Sequence, residues 1–130
     1  MDETFKDLER FQFGDGPELA DELLALVMSG RKTATCWAAR DGLLTEVGKR
    51  MIACDGRNEP RVVIETVELV RRRFRDVDAD FARDEGEGDR SLAHWREGHQ
   101  RYFERNGGFA DDMDLWCERF RVVARLGPTE

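Results

Sequence analysis

Leu19, Leu23, Leu26 and Val27 recur at helical spacing, with Leu24 beside them, so the chain from Pro17 onward predicts an amphipathic helix. Pro17 suits the first position, where a missing N–H costs the helix nothing. Gly30 stops it as a left-handed cap. Upstream, Phe11 and Phe13 alternate with Gln12 and start a short strand, and Gly14-Asp15-Gly16-Pro17 is the intervening turn. Downstream the spacing changes. Lys32 to Trp37 reads as extended, Asp41-Gly42 turns, and an irregular stretch runs to Gly48.

Met51-Ile52-Ala53-Cys54 predicts a short strand, joined through a hairpin connection at Asp55 to Pro60 to a β-branched run, Arg61 to Phe74, long enough for one bent strand. Asp78 to Arg83 predicts a short helix, and Glu85-Gly86-Glu87-Gly88-Asp89 a loop. Ser91 opens a longer helix whose Leu92, Trp95, His99, Tyr102 and Phe103 share one face, and Asn106-Gly107-Gly108 ends it. Trp116, Phe120, Val122 and Ala124 then alternate with Arg119, Arg121, Val123 and Arg125, the pattern of a half-buried strand. The tail after Gly127-Pro128 is expected to be loose. With no repeat and no linker, the order predicts one α+β domain over residues 1–130, with a small, mostly antiparallel sheet able to close into a barrel.

Composition narrows the partners. Apolar residues make up 40% and charged residues 38%, the balance of a soluble globular chain. No apolar run approaches the roughly 18 residues of a membrane helix. The start, MDETFKDLER, lacks the basic-then-apolar pattern of a signal peptide. A cytoplasmic protein with no membrane partner is the expectation. The net charge of −7 argues against duplex DNA, which needs a broad basic face, but leaves room for a local basic cleft holding one nucleotide. Cys36, Cys54 and Cys117 form no CxxC pair, so reduced thiols are expected rather than a disulfide framework or structural zinc.

The chemistry concentrates in Gly30-Arg31-Lys32-Thr33-Ala34-Thr35-Cys36-Trp37. The chain has only three lysines, Lys6, Lys32 and Lys49; every other basic residue among its 21 is arginine. Lysine can lose its proton when desolvated and arginine effectively cannot. Lys32, three residues from Thr35, is thus a candidate base for a hydroxyl nucleophile. The two converge only if the chain bends between them, since residues three apart on a flat strand face opposite ways. Thr33 is the alternative hydroxyl.

These residues lie within a wider likeness. FGDGPELADELLALVMSGRKTATCW, VGKRMIACDG, DADFARDEGEGDRSLAHWREGHQRYF and LWCERFRVV together resemble the ASCH-domain family, whose fold is similar to the PUA domain of RNA-modifying enzymes. The resemblance implies a PUA-like small β-barrel flanked by helices. Some members are amidohydrolases that remove the acetyl group from N4-acetylcytidine. For this chain that likeness implies Lys32 and Thr35 as catalytic residues from the GxKTxT segment, with Glu85 or Glu87 as the proton donor. No metal and no organic cofactor is implied. Other members resemble RNA-binding modules, and single-strand ribonuclease activity is associated with the family. The expected partner is a small nucleoside or nucleotide, or single-stranded RNA.

Around the catalytic set, Arg31, Thr33, Trp37 and Arg73 are candidates for substrate contact. Arg71, Arg73 and Arg75 would share one strand face and could meet phosphates. Trp37 offers a flat surface on which a base could stack. His94 and His99 are five apart, which does not set two metal ligands on one helical face. His99 is expected to make a hydrogen bond at the core edge.

Overall fold

A computed structural model describes residues 5–126. The expected loose tail after Gly127 falls outside them. In chain order the elements are β1 (Arg10–Phe11), α1 (Pro17–Met28), β2 (Ala34–Ala38), β3 (Arg50–Cys54), β4 (Pro60–Arg73), α2 (Ala79–Glu85), α3 (Leu92–Arg105) and β5 (Asp114–Arg125), with single 3-10 turns after β2 and β4.

The helix predicted from the leucine stripe is α1. Pro17 sits in its first turn, and Gly30, at φ 83°, turns the chain out of it as expected. Its buried face carries Ala20, Leu23, Leu24 and Val27. The larger three each contribute about 1.5–3 kcal/mol. They pack with Phe13, Ala53, Val62, Ile64 and Phe120. α2 and α3 are capped by Asp78, accepting from the Phe81 N–H, and Ser91, accepting from the His94 N–H. They cover Ala34, Phe74, Leu115 and Cys117 with Phe81, Trp95 and Phe103.

One mixed sheet runs β1-β3-β4-β5-β2, and all its ladders are antiparallel except the parallel β1–β3 pair. The long run predicted as one bent strand is β4, and it holds the centre. Its register against β5 shifts between Val63 and Ile64 and between Thr66 and Glu68, which bends it.

The sheet does not close. β1 and β2 are its two edges, and no ladder joins them among the described residues. The expected barrel is therefore an open five-stranded sheet. β1 is only two residues long, and its single ladder goes to β3. Where a barrel would be sealed, a cavity of about 310 Å³ lies between the edges, lined by Phe11 and Phe13 on one side and Thr35 and Trp37 on the other.

β5 also departs from its predicted phase. Leu115 and Cys117 are buried beside Phe120, Trp116 is only half-buried, and Val122 is 38% exposed. The strand is covered on one face by α2 and α3 and further along by α1, so a single inside face does not describe it.

Candidate active site at the Lys32 segment

Lys32 leaves the end of α1 with its backbone N–H bonded to the Leu26 carbonyl. Its side chain is 1% exposed, and three acceptors surround the ammonium: Glu85 Oε1 at 3.0 Å, Glu87 Oε2 at 3.1 Å and the Glu85 carbonyl at 3.3 Å. An ammonium has three protons, and each of them finds an oxygen. The Phe13 ring lies 5.8 Å from the nitrogen.

Glu85 is the last residue of α2 and is 1% exposed, not part of a solvated loop as its glycine-rich surroundings suggest. Its Oε2 accepts from Trp95 Nε1 at 2.8 Å and faces His99 Nε2 at 3.4 Å. His99 stacks on Trp95 with ring centroids 4.3 Å apart, and its Nδ1 meets the Trp95 carbonyl. The Glu87 carboxylate makes one hydrogen bond among the described residues, to Lys32, and its side chain is 27% exposed.

Charge follows from this geometry. Burial opposes ionisation of Glu85, but Lys32 and then His99 outweigh it and hold the carboxyl well below its ordinary range. Burial likewise pushes Lys32 down, and the Glu85 and Glu87 carboxylates override it, leaving the ammonium above its ordinary value. The lysine is charged. Of the two roles open to Lys32, base or charged stabiliser, two carboxylates within hydrogen-bonding distance favour the charged stabiliser. His99 is held above its ordinary value by Glu85 against the opposing effect of burial. Burial and Glu85 push the Cys36 thiol far up, so it stays protonated.

Lys32, Thr35, Glu85 and Glu87 line one cavity of about 240 Å³, with Cys36, His99 and Tyr102 on its wall. β2 begins only at Ala34, so the turn out of α1 supplies the bend that brings Lys32 and Thr35 together. The Thr35 hydroxyl has no hydrogen-bond partner among the described residues. Thr35, Cys36, Gly14 and Tyr102 also line the larger cavity between the sheet edges, so the two spaces meet along β2.

The substrate-contact candidates separate. Trp37 lines the larger cavity, with its indole N–H on the Gly42 carbonyl at 2.9 Å. Arg31 instead holds the glycine loop: Nε donates to the Gly86 carbonyl at 2.7 Å and Nη2 to the Gly88 carbonyl. Thr33 is exposed and bonds to the Asp84 carbonyl through its N–H at 2.7 Å. Neither Arg31 nor Thr33 lines either cavity. Arg73 is exposed at the far end of β4 and lines neither. Its neighbours are engaged with acids: Arg71 with Asp114 at 3.0 Å and Arg75 with Asp111 at 3.9 Å.

Sequence reasoning passed over His99 as a site residue and missed Glu118 altogether. Glu118 is the cross-strand partner of Thr35 and is 5% exposed. Its signal was the β5 alternation itself, since Glu118 falls at the same parity as Trp116 and Phe120. The ligand atoms of Cys36, Glu85 and His99 lie within 4.8 Å of one another, close enough for a cation. The Lys32 ammonium on Glu85 and the protonated thiol both oppose a cation there.

An open mixed sheet with a lysine–carboxylate cleft at its β2 edge places the protein in a class. Residues 9–124 match the ASCH domain family, and the chain belongs to it. The ASCH domain of Lactobacillus crispatus JV V101 is 29% identical, with a TM-score of 0.82 over 92% of this chain and 82% of that one. Protein EF3133 of Enterococcus faecalis V583 is 33% identical, with a TM-score of 0.80 over 90% of this chain and 77% of that one. The ASCH protein of Zymomonas mobilis, 13% identical at a TM-score of 0.57 over 81% of this chain and 66% of that one, shares the fold alone. The comparison with curated proteins gave no match.

Proposed function

We propose that the protein is an ASCH-type hydrolase that cleaves the amide of a small modified nucleoside such as N4-acetylcytidine. The observation that carries this reading is the buried, charged Lys32 sharing a cavity with the Thr35 hydroxyl and two carboxylates of unequal freedom. The Thr35 oxygen adds to the acetyl carbon, and its proton passes to the Glu87 carboxylate. The oxyanion takes the place beside Lys32 that Glu87 gives up. Preorganised donors of this kind are commonly the largest single contribution to acyl transfer. The C–N bond then breaks as Glu87 returns the proton to the leaving nitrogen, and water releases acetate from Thr35. Glu85 is ionised and fully engaged, so its role is to hold Lys32 rather than to donate a proton.

Incubation with N4-acetylcytidine, following free cytidine and acetate, tests the reading. Thr35→Ala and Glu87→Gln should each lose on the order of 100-fold in turnover. Full activity in Thr35→Ala would transfer the attack to a water molecule. Binding of the nucleoside with no turnover would make the protein a binding module. That second reading has one observation in its favour: every proton of Lys32 already has an acceptor.

A further inference from the structure

Arg31 lines neither cavity, and the reaction above gives it no part. Its side chain crosses to the glycine loop, where Nε donates to the Gly86 carbonyl at 2.7 Å and Nη2 to the Gly88 carbonyl. Those two carbonyls flank Glu87. A guanidinium is a planar fork with donors at fixed spacing, and it does not lose its charge. It therefore holds the peptide units on both sides of Glu87 at once. An ammonium on a flexible stem is not shaped for that.

The next two residues grip the same loop at other atoms. Lys32 takes the Glu85 and Glu87 side chains at 3.0 and 3.1 Å, and the Thr33 N–H donates to the Asp84 carbonyl at 2.7 Å. Asp84 and Glu85 also belong to α2, so the helix secures them as well. Residues 86 to 88 lie beyond its end, and there the Arg31 fork carries the support onward. The packing is close on either side: a Cβ on Gly86 would strike the Arg31 carbonyl, and one on Gly88 the His94 ring. The Glu87 carboxylate itself has no such backing. Lys32 is its one hydrogen-bond partner among the described residues. Its main chain is clamped, while its side chain is tied only to the group it must leave.

We propose that Arg31 is a positioning residue for Glu87. By clamping the carbonyls on either side, it sets the carboxylate in the cavity with Lys32 and Thr35 and leaves the side chain free to swing. The inference rests on the hydrolase reading for what Glu87 does there, which is to take and return the proton. A proton-transfer group works only within hydrogen-bond reach, and a displacement of about 1 Å can cost on the order of 100-fold.

Arg31→Lys keeps the charge and loses the fork, and Arg31 is exposed, so the variant keeps its core. One measurement needs no substrate. The Arg90 N–H is bonded to the Glu87 carbonyl at 3.0 Å, and the Thr33 N–H to that of Asp84. Amide hydrogen exchange at Arg90 should quicken at least about tenfold in the variant, while Thr33 stays within about twofold. Unchanged exchange at Arg90, or equal quickening at both amides, overturns the clamp whether or not N4-acetylcytidine is turned over. With that substrate, kcat should fall at least about tenfold at a KM within about twofold. Adding Arg31→Lys to Glu87→Gln should slow the enzyme no further, because nothing is left to position. Full kcat in Arg31→Lys, or losses that multiply in the double variant, overturns the positioning role and leaves the hydrolase standing. Quickened exchange at Arg90 in a protein without turnover does the reverse: the hydrolase reading falls and Arg31 remains the clamp of Glu87.

Discussion

Lys32 is stable in its place only because its neighbours are anions. Removing the ammonium leaves Glu85, 1% exposed, charged with no counter-ion but His99. Breaking such a pair from one side costs about 3–5 kcal/mol. Lys32→Met should therefore lower the unfolding free energy read from urea titration by that much, and Lys32→Met with Glu85→Gln should recover part of it, a coupling that a double-mutant cycle reads. The pH dependence has a sign. Glu85 is depressed in the folded state, so its contribution is present above the ordinary carboxylate range and is lost as pH falls toward its folded value. Lys32 is raised, so its contribution holds below the ordinary lysine value and is lost only as pH rises through the folded one. Acid melts of Glu85→Gln should show a shallower loss than the unsubstituted protein. The sequence made Lys32 and Thr35 legible because they sit in one short motif. It left Glu85 against Glu87 open because the difference is burial, which the Trp95 indole and the end of α2 create from far along the chain.

At the scale of elements, two glycines that look alike do different work. Gly30 and Gly86 both have positive φ, at 83° and 74°. A Cβ on Gly30 would meet nothing within 4 Å, whereas one on Gly86 would lie 2.4 Å from the Arg31 carbonyl oxygen. Gly30→Ala should cost about 1–2 kcal/mol, the strain of the left-handed conformation. Gly86→Ala should cost clearly more, because the loop must leave the backbone beside Lys32 and take Glu85 and Glu87 with it; thermal melts of the pair compare them. α1, α3 and the 14-residue β4 were readable because each has one strong period or a continuous β-branched run. α2 outran its predicted end at Arg83 by two residues, since Gly86 rather than the first acidic residue stops it. The β5 phase was not readable, because alternation assumes one buried face and helices cover this strand from both sides.

The whole molecule carries −7, and much of its arginine is already spoken for by acids, including Arg50 and Arg121 with Glu65 and Arg119 with Glu68 and Asp84. That pairing argues against a continuous basic track for a long polyanion among the described residues. Titration of a labelled single-stranded RNA at rising salt should give a shallow slope, and one equivalent to about six or more released counterions would reveal a track of that kind. Closure of the barrel was misjudged at this scale, since pattern alone does not reveal that β1 is too short to reach β2. The ladder order has a further consequence for the chain as it is made. Thr35 belongs to β2, yet its partner strand is β5, whose Glu118 is translated long after it. Lys32 waits for Glu85 in the same way, 53 residues later. A nascent chain halted before β5 would carry the entire GRKTAT motif on a segment with no ladder partner among the described residues, so β2 takes its place in the sheet only when β5 has been made.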